Sequence, residues 1–377
     1  MWRQTTAIVK QIDWWLIFPV IFLATAGLLT MRSFTATSYF FNRQLIWLGL
    51  GFVLLLILSR VDFRFLRRGG ILVAIYIFLI LILAGLLIFG ETIKGARGWF
   101  DFGAFSFQPA DFMKLILILV LAKYFSRRHI AIANLRHIFF SGFYALVPAA
   151  LILFQPDFGS AAIIAALWLG LVMISGVSKK HLLIVLLAGL AVLSVLWFSV
   201  FTANQKARIV TFLNPLADVR GAGYSALQST IAIGSGQLLG KGVGFGTQSR
   251  LNFLPEYETD FIFAAFAEEW GFIGVIIFFS LFAVVIWRVI RLALLGATNF
   301  ETLFGVGLAI LLMSHFTVNI GMNIGLLPVT GLTLPFVSYG GSHLLVEFIG
   351  LGILMGMKRY ARVVHRDELE NEFLGGV

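Results

Sequence analysis

The chain has 377 residues, of which 60% are apolar and only 12% are charged, and it contains no cysteine. An ordinary soluble domain carries about 25% charged residues, and a soluble fold of this size has too little interior to hide so much apolar surface. The composition therefore excludes a soluble enzyme, a disordered protein and a fibrous repeat. The missing cysteines exclude disulfides, thiolate metal sites and cysteine nucleophiles.

Ten apolar stretches approach the length of a membrane-spanning helix, which is about 20 residues. They cover residues 14–31, 44–59, 70–90, 111–125, 137–155, 159–176, 181–201, 260–287, 301–326 and 341–360. The sequence therefore predicts an all-α, polytopic integral membrane protein of about ten transmembrane helices, forming a single transmembrane domain over residues 1–377.

The basic residues predict the orientation of these spans. Of the 28 Lys and Arg residues, 18 fall in the termini and loops on the N-terminal side, where short loops of membrane proteins concentrate positive charge when they are cytoplasmic. We therefore expect both termini in the cytoplasm, with residues 363–377 as a short cytoplasmic tail. The net charge of +10 follows from this topology and predicts attraction to anionic membrane lipid rather than to nucleic acid.

Two connections are long, and both fall on the outer side: residues 91–110 form a smaller loop and residues 202–259 a large one. Long connections that carry aromatic and charged residues are usually functional. Within the large loop, the glycine-rich residues 234–246 do not fit a P-loop, because glycine instead of Ser or Thr follows Lys241. A re-entrant loop or a tight turn is the simpler prediction there.

Ionisable residues cluster in the outer half of the predicted bundle. Asp111 and Lys114 are three residues apart, so a helix places them on one face where they can pair. Asp157 lies between two spans, and Asp260 opens the eighth span directly after the large loop. Intramembrane ionisable groups are functional candidates, although helix capping and ion pairing between helices explain many of them. His315 and His343 are expected to form hydrogen bonds between helices.

Several motifs then resemble one family over nearly the whole chain. They include residues 95–100 (GARGWF), 107–114 (FQPADFMK), 155–160 (QPDFGS), 254–260 (LPEYETD) and 334–342 (LPFVSYGGS). Together they resemble the shape, elongation, division and sporulation (SEDS) family, and residues 246–256 resemble its rod-shape branch, RodA, more than its division branch, FtsW. The chain departs from the family pattern at Gly98, Asp111, Glu258 and His343, where a polar or basic residue, Glu, His and Ser are usual.

The resemblance implies a peptidoglycan glycosyltransferase that polymerises lipid II at the outer face of the bacterial cytoplasmic membrane during elongation and shape maintenance. It also implies a class B penicillin-binding protein as partner. Asp260 is the candidate catalytic base, and the candidate substrate-binding residues are Arg97, Trp99, Asp111, Lys114, Asp157, Arg208, Glu256 and Ser338. The sequence leaves open whether a divalent cation, Mg²⁺ or Mn²⁺, binds at Asp260 or Glu256.

The apolar residues 272–282 and 303–312 of the eighth and ninth spans, with Gly305 and Gly307, favour that surface as the partner's docking face, because small residues permit close helix approach. Three alternatives remain at this level. One is the division-specific relative of the same enzyme, another is a flippase of the lipid-linked precursor, and the third is a scaffold without catalytic activity. The sequence shows no internal repeat, which disfavours the transporter.

Overall fold

The computed structural model describes residues 12–34, 39–67, 70–90, 97–101, 103, 106–127, 135–177, 179–214, 221, 223–251 and 253–374. Parts of both outer loops, at 91–96, 102, 104–105, 215–220, 222 and 252, lie outside the described residues, as do residues 375–377 of the predicted tail.

The described chain is almost entirely helical. Ten longer helices are α1 (Trp14–Phe34), α2 (Tyr39–Leu58), α3 (Ile71–Phe89), α4 (Pro109–Ser126), α5 (Leu135–Phe154), α6 (Phe158–Ile174), α7 (Lys179–Val195), α11 (Ile262–Leu294), α12 (Asn299–Asn323) and α13 (Gly341–Leu374). Short elements between them are a 3₁₀ turn (Phe63–Arg67), a π-helical turn (Leu196–Val200), the hairpin β1 (Phe100–Asp101) and β2 (Ser106–Phe107), and helices α8 (Ala203–Leu213), α9 (Tyr224–Ser235) and α10 (Thr247–Arg250).

Eight of the longer helices are long and apolar enough to cross a bilayer. The other two, α4 and α6, are shorter, and α4 carries three charged residues. Both nevertheless pack within the bundle: α4 contacts α3, α12 and α13, and α6 contacts α5 and α12. The multi-pass helical fold is thus confirmed, while the full count of ten spans stays a prediction.

The sequence placed some helix ends imperfectly. The eighth span, helix α11, begins at Ile262 and has Phe261 at its N-cap position, so Asp260 lies in the preceding turn and does not open the helix. The last helix, α13, continues to Leu374 and includes most of the predicted tail. Hydrophobic patterning cannot locate the beginning of α11 or the end of α13. A polar segment has the same hydropathy whether it forms a turn or continues a helix, and only its hydrogen bonds differ.

The small residues of α12 do not form an outer docking face. A Cβ atom at Gly305 would lie 2.4 Å from the Cβ of Ala293, and one at Gly307 would lie 2.5 Å from the Cγ2 of Ile118. Both glycines are buried and let α12 approach its neighbours inside the bundle. The expectation that they receive a partner helix is therefore wrong. Small residues permit close packing against any neighbouring helix, and here the neighbours belong to the bundle itself.

The glycine-rich part of the large loop folds into a break in α11. Gly271 has φ 65° and ψ −169°, which interrupts the helix, and Phe272 and Ile273 donate their N–H groups to the carbonyls of Gln237 and Leu238. A Cβ at Gly271 would lie only 2.2 Å from the nitrogen of Gly240, so this crossing requires glycine. The tight turn expected at 234–246 is present.

Glu268 ties this loop to α11. Its side chain is fully buried, and its Oε1 lies 2.7 Å from Lys241 Nζ. The same oxygen accepts hydrogen bonds from the N–H groups of Thr247 (2.8 Å) and Gln248 (3.1 Å), and Glu269 accepts one from the Gly244 N–H at 2.5 Å. A buried carboxylate needs such partners, so this intramembrane acid has a structural explanation.

A second charge cluster lies at the other end of the bundle and joins three helices. Asp13, just before α1, accepts hydrogen bonds from Arg288 of α11 (Nε at 2.7 Å, Nη2 at 2.8 Å) and from Lys358 of α13 (2.8 Å). Asp13 lies at the beginning of α1, and Lys358 lies at the end of the apolar span Gly341–Arg359 within α13. The beginning of the first span and the end of the last span therefore lie on the same side of the bundle.

We expect Asp13→Asn to destabilise the protein by about 2–3 kcal/mol, less than the roughly 3–5 kcal/mol of a fully buried pair, because it leaves two largely buried cations without their carboxylate. Burial raises the pKa of Asp13, but the hydrogen bonds from Arg288 and Lys358 outweigh this effect and hold the pKa below its ordinary value. The stabilisation is then complete above about pH 4 and is lost as the pH falls through the lower pKa of the folded state. Thermal melting of the purified protein between pH 6 and 2 measures both effects.

Asp62→Asn is the matched control. Asp62 pairs with Arg64, but the two side chains are 31% and 52% exposed, and an exposed pair contributes less than about 1 kcal/mol. Equal melting of Asp13→Asn and the parent protein would show that the cluster does not stabilise the bundle.

Candidate functional site

A cavity of about 700 Å³ opens at the end of the bundle that lies away from Asp13. It is formed where the loops before α4, α6, α8, α11 and α13 meet. The residues that line it and that could contact a polar ligand include Arg43, Trp99, Gln108, Asp111, Lys114, Asp157, Gln205, Arg208, Glu256, Thr259, Asp260, His315, Tyr339, Ser342 and His343.

The turn that carries Asp260 is tightly hydrogen-bonded. Glu256 adopts a left-handed conformation (φ 50°), and its carbonyl oxygen accepts the N–H groups of Thr259 (3.2 Å), Asp260 (3.1 Å) and Phe261 (3.1 Å). The Glu256 carboxylate accepts a hydrogen bond from the Thr259 hydroxyl at 3.2 Å. The turn therefore presents Glu256 and Asp260 to the same cavity.

The side chains of two asparagines of α12 bind the backbone of this turn. The side-chain amides of Asn319 and Asn323 each donate to the carbonyl oxygen of Asp260 at 3.0 Å. Both asparagines are fully buried. Neither was a candidate from the sequence, although two amides four residues apart in an apolar span lie on one helical face and were a usable signal.

Ser338 has a structural position and does not line the cavity. Its hydroxyl accepts the Leu334 N–H at 2.8 Å and donates to the Thr259 carbonyl at 2.6 Å. The sequence places this residue among the substrate contacts. In the structure its hydroxyl joins the segment before α13 to the Asp260 turn, and a contact between Ser338 and substrate stays a prediction.

Lys114 and Asp111 form the floor of the cavity. Both side chains are at least 95% buried, and Lys114 Nζ lies 2.9 Å from Asp111 Oδ1 and 3.4 Å from His315 Nε2. The pairing predicted from their spacing is confirmed. Because the ammonium group lines the cavity and is desolvated, its attraction for an anion that enters is stronger than in water.

His343 and Glu347 extend this cluster along α13. His343 Nδ1 lies 3.6 Å from Asp111 Oδ1, and its Nε2 lies 3.0 Å from Glu347 Oε1. Glu347 Oε2 accepts the Phe336 N–H at 2.9 Å. His315 has the contacts between segments that were expected, to Lys114 Nζ at 3.4 Å and to the Thr333 carbonyl oxygen at 3.3 Å. The Glu347 contact of His343 lies within α13, and its distance to Asp111 is too long for a hydrogen bond, so for His343 the expected bond between helices stays a prediction. Glu347, one helical turn after His343, was not a candidate from the sequence.

Asp157 lines the cavity and also caps a helix. Its Oδ1 accepts the Ser160 N–H at 2.9 Å at the beginning of α6, and its Oδ2 lies 3.4 Å from Gln108 Nε2. Capping alone therefore does not account for the position of Asp157 in the cavity.

Arg208 of α8 faces the cavity from the large loop and donates to the Val329 carbonyl at 3.4 Å.

Seven of the nine candidate site residues line the same cavity: Trp99, Asp111, Lys114, Asp157, Arg208, Glu256 and Asp260. The two exceptions are Ser338 and Arg97. The Arg97 N–H donates to the Gln155 carbonyl at 3.2 Å, and the residue is outside the cavity lining, so the structure does not place it with the others.

Arg43 is a cavity cation that the sequence analysis did not select. Its guanidinium lies 4.3 Å from the ring centre of Tyr39 and donates to the Gly103 carbonyl at 3.4 Å. It comes from the beginning of α2, far along the chain from the motifs, and only the packing of α2 against α13 brings it here.

No group of three or more His, Cys, Asp or Glu side chains with metal-binding geometry occurs in the described part of the chain. Glu256 and Asp260 do offer carboxylate oxygens to one cavity. Mg²⁺ is commonly bound by one or two carboxylates together with substrate phosphates, so these two residues fit a divalent cation that arrives with a phosphate-bearing ligand.

A family model described as "Cell cycle protein", which groups FtsW, RodA and SpoVE, matches residues 5–363. This chain belongs to the FtsW/RodA/SpoVE family. Its members include stage V sporulation protein E of Bacillus subtilis (36% identical over 362 residues, 93% of this chain and 98% of the relative). Another is peptidoglycan glycosyltransferase MrdB of Escherichia coli K12 (36% over 325 residues, 86% and 87%).

Solved structures that are similar to this chain share its fold. A chain from a peptidoglycan synthase complex, described for its coordination of polymerization and crosslinking, superposes with a TM-score of 0.79 at 32% identity and covers 93% of this chain and 98% of its own. Thermus thermophilus RodA superposes with a TM-score of 0.69 at 31% identity, covering 92% and 96%. The sporulation relative and MrdB are equally similar in sequence, so identity alone does not select a branch of the family.

We expect Lys114→Met to destabilise the fold by about 3–5 kcal/mol, because it leaves Asp111 buried and unpaired. The double variant Lys114→Met with Asp111→Leu removes both charges and should recover most of that loss. Thermal melting of the two variants and of Asp111→Leu alone completes a double-mutant cycle. Additive effects in this cycle would contradict a direct interaction between the two side chains.

Proposed function

We propose that this protein is a peptidoglycan glycosyltransferase that polymerises lipid II. The observation that carries the proposal is that one cavity contains a carboxylate on a firmly held turn, Asp260, together with the cations Lys114, Arg208 and Arg43. The relatives named as peptidoglycan glycosyltransferases support the same activity.

The reaction needs these groups in distinct roles. A sugar hydroxyl of the acceptor attacks the anomeric carbon of the donor sugar, and the bond from that carbon to the lipid diphosphate breaks. Asp260 takes the proton from the attacking hydroxyl, since a general base in a cavity can accept it directly. The cations stabilise the negative charge that develops on the departing diphosphate. A diphosphate leaves without protonation, so the site needs no second carboxyl group as an acid.

Lys114 is the cation that we assign to the diphosphate. At rest it pairs with Asp111, and an entering diphosphate offers a stronger counter-charge in the same desolvated floor. Trp99, Asp157 and Glu256 then lie around the sugars or the phosphates in the same cavity. The charge-free Lys114→Met and Asp111→Leu double variant separates this role from stability, because it should fold and still fail to polymerise.

A divalent cation, Mg²⁺ or Mn²⁺, fits the proposal as a companion of the substrate. Glu256 and Asp260 would hold it, and when bound it supplies positive charge to the diphosphate oxygens. Asp260 remains the residue that accepts the proton from the hydroxyl.

We further propose that the cavity faces the outside of the cytoplasmic membrane and that both termini are cytoplasmic. The excess of Lys and Arg on the side away from the cavity supports this orientation. We assign the protein to cell elongation, on the resemblance of residues 246–256 to the rod-shape branch. The division-specific branch is the alternative for that assignment.

A flippase of the same lipid is the alternative activity. It would need a second opening for the headgroup, whereas the described polar cavity lies at one end of the bundle and its floor is closed by the buried Lys114, Asp111 and His315. This arrangement favours chemistry at one membrane face.

The partner in the proposal is a class B penicillin-binding protein whose membrane helix packs on the eighth and ninth spans, helices α11 and α12. Gly305 and Gly307 of α12 are already packed inside the bundle, so we assign the contact with the partner mainly to α11. Beyond its break this helix exposes Phe272, Ile273, Ile276 and Ile277, each 48–57% accessible. The relationship to a peptidoglycan synthase complex supports a partner of this kind.

We expect Asp260→Asn to lower polymerisation of lipid II by about 10²–10⁴-fold, the usual contribution of a general base. Asparagine keeps the size of the side chain and leaves the carbonyl contacts to Asn319 and Asn323 intact, so insertion and melting temperature should stay near the parental values. The measurement is glycan strand formation from labelled lipid II on a gel, with and without the partner protein.

Asp101→Asn is the matched control for this substitution. Asp101 lines the same cavity, but its carboxylate accepts the Gly103 N–H in the hairpin, so we expect most of the activity to remain. Parental activity of Asp260→Asn would remove Asp260 as the base and leave Asp157 as the next carboxylate to test.

We expect Ile276→Trp combined with Ile277→Trp to weaken co-purification of the partner, because two large side chains overpack a fitted interface by about 1–3 kcal/mol. Leu187→Trp is the control, since Leu187 is 57% exposed on α7, away from the proposed face. Unchanged co-purification of the α11 variant would place the partner on another surface.

A further inference from the structure

A second pocket lies at the end of the bundle opposite the candidate active site. It has a volume of about 300 Å³ and is lined by Arg67 of the 3₁₀ turn, by Lys123, Ser126 and Arg127 at the end of α4, and by residues 298–300 at the beginning of α12. Lys123 is twelve residues after Asp111 on α4, which separates the two sites by about 18 Å along the helix axis. The pocket therefore belongs to the other membrane face and plays no part in the catalytic cavity.

The charges of this pocket are unbalanced in favour of an anion. Its described lining contains three cations and no carboxylate. Glu301, just outside the lining, pairs through Oε1 with Arg67, and its Oε2 accepts the Thr298 N–H at 3.0 Å as part of the cap of α12. Both of its oxygens are thus engaged, and the described lining itself carries three positive charges.

Two of the three cations are held in place by the fold. Arg127 Nη2 donates to the backbone carbonyl of Arg67 at 2.8 Å, which joins the end of α4 to the 3₁₀ turn. Arg67 is in turn fixed by Glu301 of α12. Three chain segments thereby form one concave cationic site. Its basic residues are connected to one another, unlike single basic side chains that extend from helix ends into solvent.

Apolar surface adjoins this site. Phe65, Ile71 and Leu295 lie within four residues of its lining along the chain and are 43%, 47% and 49% exposed. A soluble phosphate would make no use of these side chains, whereas a phospholipid can place its acyl chains against them. Basic pockets between helices at a membrane face bind anionic lipid headgroups in this way.

We propose that this pocket binds the phosphate headgroup of one anionic phospholipid, with Lys123 and Arg127 as its main charge contacts and Arg67 at its base. The proposal concerns the helix ends opposite the catalytic cavity and does not depend on the glycosyltransferase assignment.

The test uses the full-length protein, purified and delipidated in detergent. Short-chain phosphatidylglycerol is titrated and bound lipids are counted by native mass spectrometry. We expect one tightly bound phosphatidylglycerol and much weaker binding of the matching phosphatidylcholine. The variant Lys123→Gln with Arg127→Gln should weaken this binding about thirtyfold, since each basic residue near anionic lipid contributes on the order of a fivefold change.

Two comparisons make this result decisive. Arg136→Gln with Lys180→Gln removes two exposed positive charges from the same side of the bundle outside the pocket, and should leave the tight binding unchanged. The exchange variant Lys123→Arg with Arg127→Lys keeps the charges and should retain the lipid. Thermal melting of each variant without lipid shows whether the fold is intact.

Equal loss of binding in the pocket variant and in the Arg136 and Lys180 variant would overturn the proposal, as would equal affinity for phosphatidylcholine. Inorganic phosphate serves as a separate probe. If it raises the melting temperature as much as phosphatidylglycerol does, the pocket is a site for free phosphate and the assignment to a lipid is wrong.

Discussion

A charged group that leaves water for the interior of a membrane bundle needs its partner inside the bundle, and the rest of this structure depends on that constraint. Three clusters meet it. Asp13 joins α1, α11 and α13 at one face, Glu268 ties the glycine-rich loop to the break in α11, and Lys114 pairs with Asp111 under the cavity. The first two clusters connect segments that apolar packing alone would hold only loosely, because lipid competes for apolar contacts. The third pair lies within α4.

The difference between these clusters lies in access to the cavity. Glu268 is enclosed by donors from the loop, and Asp13 by two cations, so both are saturated and structural. Lys114 lines a cavity large enough for a ligand, and its counter-charge can be exchanged for another anion. The same physical requirement thus produces a scaffold where the cluster is closed and, in our proposal, a substrate-binding site where it is open.

The turn before α11 combines rigidity with exposure. The backbone groups of this turn are hydrogen-bonded to the Glu256 carbonyl, to the amides of Asn319 and Asn323 and to the Ser338 hydroxyl. These contacts fix the position of Asp260 through its backbone and do not involve its carboxylate, which we propose as the base. A catalytic group held by its own backbone in this way is already oriented before substrate arrives, which is the preorganisation that positioning catalysis requires.

The sequence by itself determined the membrane-spanning helical class, the approximate positions of the ten longer helices, the Asp111–Lys114 pair and seven of the residues that line the cavity. Hydropathy, helical spacing and motifs are local properties, so local reasoning reaches them. Only the tertiary structure decided that Ser338 supports the turn, that Gly305 and Gly307 face inward, and that Arg43, Asn319 and Glu347 join the site. These facts depend on which helices meet. The four-residue spacing of Asn319 and Asn323 shows that the two amides share a helical face, but it does not show which segment that face contacts.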